Sequence, residues 1–200
     1  MKPPILTGAL IAASVAATIA ALDTNLSGPL GALLIGTPDT PMFSDILHGQ
    51  IWRLVTPIFV HFGLLHILFN MMWLWDLGRV LELLRGPLFL AAFVAVSGVA
   101  SNLAQYTITQ SPMFGGMSGV VYALLAYIWM QGRVNPALGI RLHQSTVIMM
   151  IGWFVICWTG LLGPIANWAH TAGLVIGVAW GSLDRRAPRS LPPPPPPSAA

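Results

Sequence analysis

Two residues in this chain are of types that can open an amide bond when they meet: Ser118, in the string Gly115-Gly116-Met117-Ser118-Gly119, and His170, in Ala169-His170-Thr171-Ala172-Gly173. A serine hydroxyl is inert until a neighbouring base takes its proton, and imidazole is the commonest such base. Each has a bland account as well. Glycines around a serine permit a tight turn and helix packing, and a buried histidine is more often a hydrogen-bonded structural residue. His66 and Asn70 stand four residues apart, so a helix stacks them on one face. With the Ser118 backbone N–H at a helix N-terminus, such side-chain donors suit an oxyanion hole. Two core residues that satisfy each other would show the same spacing.

The elements that must position these residues are set by composition. Hydrophobic residues make up 56% of the 200 and charged residues 8%, with a mean hydropathy of +0.75, which lies outside soluble usage. Apolar runs recur at about Ile5 to Leu22, Leu64 to Leu84, Pro87 to Ile108, Phe114 to Met130, Thr146 to Leu162 and Trp168 to Leu183. A span takes roughly 17 to 25 residues and the runs lack the alternation of a barrel strand, so an all-α, polytopic protein with six transmembrane helices is predicted. The first run also resembles a secretory signal, since Lys2 precedes it. Its apolar core is longer than the roughly 7 to 15 residues of a signal, and it is read as a retained span.

With a cytoplasmic amino terminus, Lys2, Arg79, Arg85, Arg133, Arg141, Arg185, Arg186 and Arg189 fall inside, and Arg53 alone of the nine basic residues falls outside. The pI near 9.6 therefore marks topology and not a nucleic-acid surface. In this orientation the second, fourth and sixth helices enter from outside. His66 with Asn70, Ser118 and His170 then lie in one shallow layer. Asp76 is ten residues beyond His66, roughly 15 Å deeper, so no Ser-His-Asp triad is available from the spans. Asp76 is expected near Arg79 and Glu82, and Tyr122, one turn after Ser118, is a candidate to orient the imidazole by packing.

Residues 23–63 form an external segment predicted to be structured and partly sunk in the membrane interface, with Trp52 and Arg53 as anchors. His48, His61 and His66 match no zinc spacing, and Cys157 is the only cysteine, so neither a metal nor a cofactor is expected. Residues 185–200, with six prolines from Pro192 to Pro197, read as a disordered, proline-rich cytoplasmic tail after a membrane domain over 1–184.

Trp52-Arg53, His66-Ile67-Leu68-Phe69-Asn70, Gly116-Met117-Ser118-Gly119-Val120-Val121-Tyr122-Ala123 and Ala166-Asn167-Trp168-Ala169-His170 together resemble the rhomboid intramembrane serine proteases, nearest to the bacterial GlpG branch. The likeness runs in order over about residues 50–184. It implies a six-helix bundle with a membrane-embedded first loop, a catalytic pair of Ser118 and His170, and an oxyanion site of His66, Asn70 and the Ser118 amide. Tyr122 would pack beneath the histidine, with Gly116, Gly119 and Gly173 in supporting places. It further implies single-span membrane proteins as substrates, a bacterial inner-membrane location, both termini cytoplasmic and a site open to the periplasm. The fifth helix, around Trp153 and Phe154, would border a lateral gate. Two other readings compete: a non-catalytic relative that binds membrane helices, and a small transporter. The joint presence of Ser118 and His170 argues against the first. The second expects paired charges or broken helices near the midplane, whereas the polar layer here is shallow.

Overall fold

A computed structural model of the chain describes residues 3–186 and is all-helical, with no strand among them. Apolar runs without breakers become helices because only a helix satisfies its own backbone groups in a single segment. In chain order they are α1 (Ile5–Ala20), the short α2 (Pro29–Leu33) and α3 (Ser44–Leu47), then α4 (Leu64–Trp73), α5 (Arg79–Arg85), α6 (Pro87–Thr109), α7 (Ser118–Val134), α8 (Gln144–Trp158) and α9 (Asn167–Leu183). Pro87 occupies the first turn of α6, where its missing N–H costs nothing. Among the described residues α6 is the one helix long and apolar enough to cross a membrane by that measure alone, while α1 and α8 are shorter apolar helices.

The run from Leu64 to Leu84, expected as one uninterrupted helix, has a π turn over Leu74–Gly78 between α4 and α5. The extra residue turns Leu74, Leu77 and Gly78 inward, and Gly78 meets the side chain of Thr7 on α1. Near it, Glu82 accepts hydrogen bonds from the Leu6 N–H at 2.9 Å, the Thr7 N–H at 2.8 Å and the Thr7 hydroxyl at 2.7 Å. Glu82 thus anchors the start of α1, and it is Arg79 alone that pairs with Asp76, at 3.5 Å and half exposed.

Burial departs from that of a water-soluble protein at both the surface and the centre. Ser97, Ser101, Asn102, Gln105 and Gln131 are buried, whereas Leu64, Leu88, Ile148 and Val175 are each at least 60% exposed. Polar groups packed inside an apolar exterior are what a lipid solvent selects. The centre is α7, buried on almost every side from Gly119 to Ile128, and its closest neighbour is α9. On α8 only Met150 and Cys157 are buried.

The segment 23–63 is structured, as predicted, but Arg53 is not an interface anchor. It is 5% exposed and donates to the carbonyls of Gly31 and Leu34 and to Gln50 Oε1, with Asp45 at 4.0 Å. The carbonyls of a loop doubling back need donors, and a guanidinium supplies five in one plane. Trp52 is half exposed, its indole N–H on the Ala32 carbonyl at 3.2 Å.

At the opposite end Arg185 and Arg186, placed by sequence in the tail, dock on the bundle. The Arg186 carbonyl accepts from Arg85 Nη1 at 2.9 Å, and its guanidinium lies 5.2 Å from the Phe89 ring centre. The proline run, like Lys2 and Arg189, lies outside the described residues.

Candidate active site

The register between α7 and α9 brings Ser118 and His170 together. Gly173, Gly177 and Gly181 face the backbone carbonyls of Gly119, Ala123 and Tyr127 in turn, four residues apart on both helices. A Cβ on Gly173 would overlap the Gly119 carbonyl oxygen, so the two backbones approach as only a glycine allows. The start of α9 is pinned by α6, where Gln105 Oε1 accepts the N–H groups of Trp168 at 3.1 Å and Ala169 at 3.3 Å. One residue further along, His170 Nε2 lies 2.7 Å from the Ser118 hydroxyl oxygen.

His170 is 5% exposed, and its ring lies 5.0 Å from that of Tyr122 at an interplanar angle of 45°. Its Nδ1 is buried with no hydrogen-bond partner among the described residues. No carboxylate therefore orients the imidazole from behind. Tyr122 is held in turn by its hydroxyl, which donates to the Met150 carbonyl of α8 at 3.1 Å. A hydroxyl whose hydrogen bond ends on imidazole nitrogen is the arrangement from which a serine alkoxide is generated.

The loop before Ser118 is shaped by the segment 23–63. Gly116 adopts φ +120°, a conformation L side chains rarely take, and its N–H donates to the Pro57 carbonyl at 3.0 Å. A Cβ there would stand 2.7 Å from His66 Nε2, so the His66 ring lies directly against this loop. His66 Nδ1 accepts the Phe62 N–H at 3.3 Å, which leaves Nε2 as the N–H of a neutral ring. Asn70 is 6% exposed and gives one amide hydrogen to the His66 carbonyl at 2.9 Å, keeping a second. Gly119 packs between Gly173 and the Ser101 hydroxyl.

His61 was considered from sequence only as a metal ligand, and the structure gives it a different task. Its Nε2 accepts the Met117 N–H at 3.2 Å, so it holds the residue before Ser118, and its Nδ1 donates to the Phe59 carbonyl at 3.1 Å. Burial, then the neighbouring His66, push its pKa down to about 4 against the opposing bond to Phe59. His48 lies elsewhere, with Nδ1 on the Ser44 carbonyl. Gln105 was missed altogether. The only sequence signal for either residue was a polar side chain inside or beside an apolar run. The expected gate residues touch their neighbours: Phe154 packs on Tyr122 at 5.6 Å and Trp153 faces Phe69 of α4 at 6.5 Å between ring centres.

Residues 48–187 match the family model described as Rhomboid domain. Among curated proteins, the chain is 41% identical over 143 residues to proteins named Rhomboid protease GlpG from Salmonella paratyphi A, Salmonella choleraesuis and Salmonella newport. The aligned stretch is 71% of this chain and 51% of each relative, so the chain spans about half the length of the curated relatives it matches. The family match takes in the π-turned α4–α5 pair, the α7–α9 seam and both members of the 2.7 Å hydroxyl–imidazole contact. The chain belongs to the rhomboid family.

Proposed function

We propose that this protein is an intramembrane serine endopeptidase, with Ser118 as nucleophile and His170 as general base. The observation that carries the reading is the 2.7 Å contact between the Ser118 hydroxyl and His170 Nε2. Ser118 Oγ attacks the scissile carbonyl carbon as its proton passes to Nε2. The imidazolium then gives that proton to the leaving amine, and water hydrolyses the acyl-enzyme with the same histidine as base. The Ser118 N–H, the His66 Nε2–H and the free amide hydrogen of Asn70 are the donors assigned to the oxyanion. Tyr122 backs the imidazole in place of a carboxylate.

In this reading α1, the α4–α5 pair, α6, α7, α8 and α9 are the six crossing helices. Single-span membrane proteins are the substrates and the bacterial inner membrane is the location. Support for the orientation comes from the charges. Arg85, Arg133, Arg185 and Arg186 lie at the end of the bundle opposite Ser118, and basic residues concentrate on the cytoplasmic side. Both termini then face the cytoplasm, and Ser118 opens towards the periplasm, where water for the second step is at hand.

The test compares wild type with Ser118→Ala and His170→Ala on a single-span substrate in liposomes. Both variants lose cleavage; turnover retained by either ends the assignment. Asn70→Ala lowers kcat by a smaller amount, because the loss of one oxyanion donor is worth on the order of 3 kcal/mol and the others remain.

A further inference from the structure

At the end of the bundle away from Ser118, the connection between α7 and α8 folds into a basic cleft of about 550 Å³, lined by Trp129, Arg133, Arg141, Leu142, Val147 and Ile148. Arg133 stands one turn after Trp129, with its guanidinium carbon 4.6 Å from the indole centre. An indole that takes the flat face of a guanidinium leaves the N–H fork at its edge for an oxyanion. Among the described residues neither arginine is balanced by an acid. No Asp or Glu lines the cleft, and the sequence holds none between Arg85 and Asp184. Apart from Gln144 the remaining wall is apolar, and it continues onto the outer face of α8, where Ile148 and Met149 are 61% and 54% exposed. Fifteen residues of α7 separate Arg133 from Ser118, about 22 Å along the helix axis, so the cleft lies near the other membrane face.

Two unpaired arginines at the rim of an apolar wall, at headgroup depth, match one chemistry: a phosphodiester that carries acyl chains. We infer that this cleft binds an anionic glycerophospholipid of the leaflet opposite the Ser118 opening. Arg133 and Arg141 hold the phosphate, and the chains lie along Val147 and Ile148. The lipid then ties α8, which buries little of its own surface, to the central helix. This inference rests on the chain being embedded in a bilayer and not on Ser118 acting as a nucleophile.

The test is native mass spectrometry of the full chain in detergent, titrated with phosphatidylglycerol or phosphatidylcholine. Wild type retains phosphatidylglycerol in preference to phosphatidylcholine, on the order of thirtyfold, and the paired substitution Arg133→Gln/Arg141→Gln abolishes that preference. Ile148→Glu, an exposed position, keeps both arginines and loses the preference too, which provides a second variant should the glutamine pair fold poorly. Inorganic phosphate does not displace the lipid. Equal retention of the two lipids, an unchanged preference in the variants, or displacement by phosphate overturns the inference. Substrate cleavage, followed on the same preparations, is a separate readout.

Discussion

His61 illustrates how a side chain can serve the site without touching a reacting atom. Its Nε2 holds the Met117 N–H, one residue before the hydroxyl, and does so only while that nitrogen is unprotonated. The folded chain keeps His61 neutral down to about pH 4, whereas an unfolded chain protonates it near 6.5. The unfolded state therefore binds the extra proton between those values. The contribution of His61 is complete above pH 6.5 and is lost as pH falls towards 4. Thermal unfolding of wild type and His61→Gln across this window is expected to show a shallower loss of stability on acidification in the variant. Parallel profiles would mean that His61 titrates alike in both states. The meeting of Ser118 with His170, and that of His66 with the loop before Ser118, were legible in the sequence because each residue is a polar type in an apolar run at a matching depth. His61 and Gln105 were not, since their value lies in a partner many residues away: Met117 for the one, Trp168 and Ala169 for the other. Arg53 was misread because an arginine beside tryptophan at a membrane edge looks alike whether its fork meets headgroups or the carbonyls of Gly31 and Leu34.

Helices α7 and α9 meet along glycines, and that seam sets the distance between hydroxyl and imidazole. Gly173→Leu forces the backbones apart at Gly119. The expected result is a destabilisation of about 1–3 kcal/mol or more from overpacking, with activity falling further than stability because the 2.7 Å contact opens. Val175→Leu, which adds bulk at a 60% exposed position of the same helix, leaves both unchanged. Unfolding midpoints and cleavage rates of the two variants decide the point. Gly173, Gly177 and Gly181 recur every four residues in the sequence, the spacing that lets a second helix approach closely. The π turn at Leu74–Gly78 gave no such notice, because a helix with apolar residues on every face carries no clear phase from which an inserted residue could be read.

Across the whole molecule, the polar groups at the end away from Ser118 form a clasp. The Asp184 carboxylate accepts the Tyr127 hydroxyl at 2.6 Å and pairs with Arg85 at 3.6 Å, while Gln131 Nε2 donates to the carbonyls of Gly181 and Asp184. This ties α5, α7 and the end of α9 together. Asp184→Ala leaves buried partners without their acceptor and should cost about 3–5 kcal/mol in denaturant unfolding, with Asp184→Asn recovering part of it. A neutral response would show that the clasp is dispensable. The all-helical class could be read from the composition and the uninterrupted apolar runs. The clasp could not, because Arg85 and Asp184 are about a hundred residues apart and Arg85 reads locally as a topology marker.

Tyr122 touches two neighbours at once: its ring backs the His170 imidazole, and its hydroxyl reaches the backbone of α8 at Met150. An outward swing of α8 would break that bond and let the phenol rock, so the imidazole would lose its backstop as the wall parts. Tyr122→Phe severs the link but keeps the ring, and turnover in the variant should lose its sensitivity to agents that loosen α8, such as thinner bilayers. If the variant responds to bilayer thickness as wild type does, the phenol is no linkage, and the imidazole is indifferent to where its neighbouring helix stands.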